Sequence, residues 1–117
     1  MRHGELRVWT EEWDGTPVVR AEGEVDLGTV DALRKAASDI ARRKPEAVIF
    51  DFRQVNYLDS TGLGVLVATR KKLGNSRDCI IIITNQPAVL QCLSLTGLDQ
   101  VVRIQSEPSA VPTKPGP

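Results

Sequence analysis

The sequence predicts an α/β fold, a single mixed sheet of four to five strands with helices packed mainly on one face. Three observations predict it. The apolar residues recur with a period of two in some segments and at helical spacing in others. The first two strand-like segments alternate apolar and polar residues, as a hairpin with one wet face does. The run Cys79-Ile80-Ile81-Ile82-Ile83 is unbroken and β-branched, which marks a strand buried on both faces.

The elements follow in order. Glu5 to Thr10 alternates and is predicted as a strand, and Asp14-Gly15 as a turn. Val18 to Val25 alternates again. Val19, Ala21, Gly23 and Val25 are predicted to face the core, with Val18, Arg20, Glu22 and Glu24 on the wet side. From Thr29 the period becomes helical, through Val30, Leu33, Ala37, Ile40 and Ala41. Arg42, Arg43 and Lys44 suit the negative end of that helix, and Pro45 stops it. Val48 begins a buried strand ending near Phe52. Ser60 to Leu73 is predicted as the second helix, with Leu63, Leu66, Val67 and Leu73 inward and Gly74-Asn75 as its stop. Pro87 to Leu95 is a short helix opening on proline. Val101 to Ile104 is the last strand. Strands alternating with helices imply parallel pairing through right-handed crossovers.

The chain of 117 residues suits one domain, expected to span 1–105. Residues 106–117 hold four of the seven prolines and no large apolar residue beyond Val111, so they are expected to form a disordered tail. A chain ending at Gln105 should melt within a few degrees of the full chain. A large fall in melting temperature would show that the tail docks.

Fifteen basic and fifteen acidic residues cancel, which removes any general attraction to nucleic acid or to an anionic membrane. The longest apolar run, Cys79 to Ile83, falls far short of the roughly 18 residues of a membrane span. No signal core follows Met1-Arg2-His3-Gly4-Glu5, and two cysteines make no secreted disulfide framework. Cytoplasmic residence is the expectation that remains. No cofactor and no metal is expected, because no cluster of His, Cys and carboxylates has ligand spacing. His3, the only histidine, sits in a terminus, so no Ser-His-Asp triad is expected.

The informative segment is Tyr57-Leu58-Asp59-Ser60-Thr61-Gly62-Leu63-Gly64-Val65, which joins a strand to the second helix. Such a turn lies at the carboxyl edge of the sheet, where α/β proteins bind ligands. Asp59 and Ser60 are both good caps. If Asp59 caps, the Ser60 hydroxyl is free to point outward. If Ser60 caps, its hydroxyl is engaged locally. The spacing admits both. Gly62 and Gly64 each cost roughly 1 kcal/mol relative to alanine inside a helix. Two in one turn point to a close approach, either by the neighbouring strand or by another protein.

Asp59-Ser60-Thr61-Gly62-Leu63-Gly64 resembles the signature of STAS domains, specifically the bacterial anti-sigma factor antagonists. Gly23-Glu24-Val25-Asp26-Leu27-Gly28-Thr29 is similar to the family's segment before its first helix. Ser94-Leu95-Thr96-Gly97-Leu98 is similar to its stretch before the last strand. The resemblance covers roughly residues 5 to 104 and implies a concrete function. The serine after the signature aspartate, here Ser60, is phosphorylated by an anti-sigma factor that is also a serine kinase. The unphosphorylated antagonist binds that factor and releases the sigma factor. Phosphorylation ends the binding, and a metal-dependent serine phosphatase restores it. The protein is then a binding switch and not an enzyme. The resemblance places Asp26, Asp59, Thr61, Gly62 and Gly64 around the phosphosite. It implies a partner surface of Asp26, Leu27, Thr29, Ser60, Thr61 and Leu63.

A phosphoserine carries about −1.5 to −2 charges and three acceptor oxygens. At a helix start it is expected to meet free N–H groups, so it need not unfold the domain. Beside Asp59 and Asp26 it adds charge that a partner built for a hydroxyl would not accept.

Two other classes compete. A constitutive scaffold or transporter-associated STAS module is one, but such members often lack a phosphorylatable residue at the Ser60 position. A nucleotide-binding or hydrolytic protein is the other, but the lysine of a phosphate loop is missing after Gly62 and Gly64. The remaining features have ordinary readings. Cys79 and Cys92 are expected to be inert core thiols. Arg70-Lys71-Lys72 compensates a helix dipole. Asn85-Gln86-Pro87 opens a helix on the same sheet edge as Ser60. Trp9 and Trp13 cover the end of the sheet.

Overall fold

The computed structural model describes residues 5–108. The strands are β1 (Leu6–Trp13), β2 (Thr16–Val25), β3 (Val48–Leu58), β4 (Ile80–Ile83) and β5 (Arg103–Gln105). The helices are α1 (Val30–Ala41), α2 (Ser60–Lys72) and α3 (Pro87–Leu95). The sheet order is β1-β2-β3-β4-β5; β1 and β2 are antiparallel and the other neighbours parallel. Strand order therefore equals chain order. Three successive one-step crossovers of the same hand must place their helices on the same face, and apolar residues of α1, α2 and α3 share one core with the sheet. The expected mixed sheet is present with five strands.

Several boundaries and faces differ from expectation. β1 runs on to Trp13, which puts both tryptophans within the strand. β3 continues to Leu58 and does not end near Phe52, because its second half pairs with β2 from Gln54 to Leu58. Cys79 closes a short 3-10 turn, and the buried strand starts at Ile80. Val18 is fully buried and not on a wet face. It joins Ile49, Ile81 and Ile83 in a second apolar cluster on the face without helices, with Trp13 packed against it.

Val67 is 50% exposed, and Val65 takes the inward position. Val67 lies four residues after Leu63 and one after Leu66, on the edge of the apolar stripe. Neighbours and not spacing decide such a position.

Charges border the second cluster. Asp51 is only 3% exposed and is held by Arg20 Nε at 3.1 Å and Arg53 Nη2 at 2.7 Å. A buried carboxylate needs such partners. Glu11 accepts from Trp9 Nε1 and Trp13 Nε1, each at 2.9 Å, so the tryptophans cover the sheet in a hydrogen-bonded frame. Among the described residues no helix is long and apolar enough to cross a membrane. His3 and nearly all of the predicted tail, residues 109–117, lie outside the described residues.

Candidate functional site

The site forms where the carboxyl ends of β2 and β3 meet the start of α2. Leu58 pairs with Val25, and the Asp59 N–H donates to the Val25 carbonyl at 3.2 Å. Asp59 is extended, and α2 starts at the next residue. A one-residue connection fixes where Ser60 stands.

Asp59 is the cap. Its Oδ1 accepts from the Thr61 N–H at 2.9 Å and the Gly62 N–H at 3.4 Å, and also from the Thr61 hydroxyl. The alternative in which Ser60 caps is thereby removed. Ser60 is exposed, and its hydroxyl makes no hydrogen bond among the described residues. Thr61 is half-buried with its hydroxyl committed. The two adjacent hydroxyls thus differ: one is free and one is tied to a carboxylate. The capping also corrects the expectation that a phosphate on Ser60 meets free N–H groups, because Asp59 already takes those of Thr61 and Gly62.

Burial works to raise the Asp59 pKa, but the Thr61 hydroxyl and the N–H groups of Thr61, Gly62 and Leu27 outweigh it. The carboxyl is held below its ordinary value. A carboxylate depressed on folding stabilises fully above its unfolded pKa of roughly 4 and loses that contribution as pH falls through the folded value. Asp59→Asn keeps a capping oxygen but does not titrate. The gap in melting temperature between wild type and Asp59→Asn should narrow on acidification from pH 6 to pH 2.5. A gap that stays constant would show that the charge is not what stabilises the helix start.

The segment from Asp26 to Thr29 packs beside this cap as an ordered turn. Asp26 Oδ1 accepts from the Gly28 N–H at 2.9 Å. Thr29 Oγ1 donates to the Glu24 carbonyl at 2.7 Å and accepts from the Asp26 N–H at 3.0 Å. Thr29 therefore holds the turn, and its hydroxyl is committed. Leu27 is 78% exposed at the tip. The structure thus brings Asp26, Leu27, Asp59, Ser60 and Thr61 to one edge. Leu63 is 9% exposed and packs in the core, which corrects its place among the partner-contacting residues.

The two glycines separate. A Cβ on Gly62 would lie 2.3 Å from Leu58 Cδ1 and 2.7 Å from Val25 Cγ1, so Gly62 lets α2 close on β2 and β3. A Cβ on Gly64 would meet nothing within 4 Å. The neighbouring strand explains the first glycine and not the second.

Sequence reasoning missed a groove of about 490 Å³ between α1 and α2, which starts at Thr61 and is floored by Ala37, Ala41, Gly64 and Ala68. Small residues four apart on both helices were the available signal. The other expected neighbours have structural roles. Gln86 Nε2 donates to the Arg53 carbonyl at 2.9 Å and fastens the start of α3 to β3. Cys79 is buried. Burial, and then the charge of Asp59, push the Cys92 thiol above its usual value and away from the reactive thiolate. Among the described residues no group of three His, Cys, Asp or Glu side chains is placed to hold a metal.

Comparison with known proteins gives a consistent result. The family model for the STAS domain matches residues 8–110. The anti-sigma-F factor antagonist RsfB of Mycobacterium tuberculosis is 31% identical over 105 residues, which cover 86% of this chain and 82% of that protein. The anti-sigma F factor antagonist of Paenibacillus polymyxa is 28% identical, covering 85% of this chain and 86% of that one. The crystal structure of an anti-sigma factor antagonist from Mycobacterium paratuberculosis superposes with a TM-score of 0.83 at 30% identity, covering 92% of this chain and 91% of that one.

Proposed function

The chain belongs to the STAS domain family and is an anti-sigma factor antagonist, and on that premise we propose that phosphorylation of Ser60 switches it off. In its unphosphorylated form it binds an anti-sigma factor that is also a serine kinase, and the sigma factor is released. A metal-dependent serine phosphatase resets it. The protein itself does no chemistry, and its place is the cytoplasm.

One observation carries the reading. Ser60 presents an exposed, unbonded hydroxyl at a fixed helix start, while the adjacent Thr61 hydroxyl is bound to Asp59. A kinase needs an acceptor oxygen whose proton is available to its catalytic base. Ser60 meets that need. Thr61 would first have to break a charge-assisted bond.

The geometry also supports the off-switch. A phosphate on Ser60 stands next to the ionised Asp59 and on the same edge as Asp26. A dianion there makes a strongly negative spot where the free protein offers a hydroxyl. A partner that desolvates this edge then has to bury unpaired charge. Asp59 keeps its own backbone bonds, so the domain need not rearrange.

The test is to mix the chain with candidate anti-sigma factor kinases and ATP and to find the modified residue by mass spectrometry. Phosphate on Ser60 supports the reading, whereas phosphate on Thr61 or Ser94 with Ser60 unmodified sinks it.

A further inference from the structure

The groove between α1 and α2 is not explained by a phosphorylated edge alone. It opens at Thr61, beside Ser60, and runs along α2 to Lys72. Its floor is made of small side chains, with Gly64 and Ala68 both exposed. Its rims carry two cations, Arg34 and Lys72, and among the described residues no carboxylate lines it. Among the described residues Lys72 Nζ bonds only to the Ser38 hydroxyl, at 3.4 Å, and Arg34 is engaged with the exposed Asp31, a pair that water screens. The whole of α2 contains three basic residues and no acidic one.

Gly64 adds a further detail of this floor. A helix-interior glycine weakens its helix, and Gly62 is compensated by its contact with Leu58 and Val25. Gly64 has no such contact among the described residues. Its missing side chain leaves open space on the groove side of α2.

We propose that this groove receives a segment of the anti-sigma partner that is apolar on one side and carries carboxylates towards Lys72 and Arg34. The proposal rests on the reading of the protein as an anti-sigma factor antagonist. The small floor lets the partner's backbone come close, and the rim cations select for acidic side chains. It also extends the action of the switch. A phosphate on Ser60 stands at the mouth of the groove and repels the same carboxylates that the rim attracts. One added dianion thus opposes both halves of the contact.

The full chain is tested against the anti-sigma factor kinase that phosphorylates it, by calorimetry at low and at moderate salt. Gly64→Leu fills the groove where a Cβ meets nothing, so it should melt no lower than wild type yet bind at least tenfold more weakly. Lys72→Glu should also bind at least tenfold more weakly and lose most of the salt dependence. Ser60→Asp serves as the reference. If both groove variants bind as wild type while Ser60→Asp binds more weakly, the groove is not a docking site and the phosphorylation reading stands. If all three bind as wild type, both fall. If Gly64→Leu instead changes the association of the free chain with itself in sedimentation, the groove joins two copies and the proposal is overturned.

Discussion

Ser60→Ala is expected to remove nearly all phosphate incorporation by the cognate kinase while leaving partner affinity within a few fold of wild type. The hydroxyl it deletes makes no bond within the described chain, so its loss costs the fold little. Thr61 should not take over, because its hydroxyl donates to Asp59. Ser60→Asp is the complementary variant. It adds one charge beside Asp59 where phosphate adds nearly two.

Two effects of that charge compete. The helix start favours an anion by only about 0.3–1 kcal/mol, and Asp59 already occupies the best position. Breaking a desolvated polar contact in an interface costs about 2–5 kcal/mol, mostly in dissociation rate. The interface effect is larger. Ser60→Asp should therefore melt close to wild type but bind the anti-sigma partner at least tenfold more weakly. On true phosphorylation, backbone amide shifts should be confined to Asp26 to Thr29 and Leu58 to Leu66. Shifts across the whole sheet, or an affinity unmoved by the phosphate, would refute a switch that acts at the surface.

Gly23→Ala should be the most destabilising small substitution near the site. Gly23 has φ +122°, and a Cβ there would lie 2.0 Å from the Glu5 carbonyl oxygen. Both the dihedral and the clash oppose any side chain, and the obstacle is backbone, which cannot rotate away. Strained φ costs about 1–3 kcal/mol and overpacking about 1–3 kcal/mol. Together they predict a fall of ten degrees or more in melting temperature, at about 4–8 °C per kcal/mol for a domain of about this size.

The position also matters to the site. The β2–β3 register shifts between Gly23 and Glu24, and this shift sets Val25 opposite Leu58 and so brings Asp26 towards Asp59. Gly23→Ala should weaken partner binding as well as stability. Gly64→Ala is the control, expected to be neutral or stabilising by up to about 1 kcal/mol. A Gly23→Ala protein as stable as wild type would mean that β1 yields easily at Glu5.

The sequence by itself determined the order and kind of the main elements and pointed to the candidate site. The change of period at Thr29, the stop at Pro45 and the unbroken isoleucines each reflect the chain's own geometry, which depends on near neighbours. The Asp59-Ser60-Thr61 segment could be placed at a helix start for the same reason. Only the tertiary structure decided what depends on distant residues. It showed that Asp59 caps and Ser60 is free, because cap choice turns on the dihedral of one residue held by Val25 across the sheet. It showed Gly62 closed against Leu58 and Val25 and Gly64 open, although both glycines look alike along the chain. It buried Val18 and exposed Val67. Periodicity says which residues share a face. What covers that face depends on strand order and crossover hand, which bring together residues far apart in the chain.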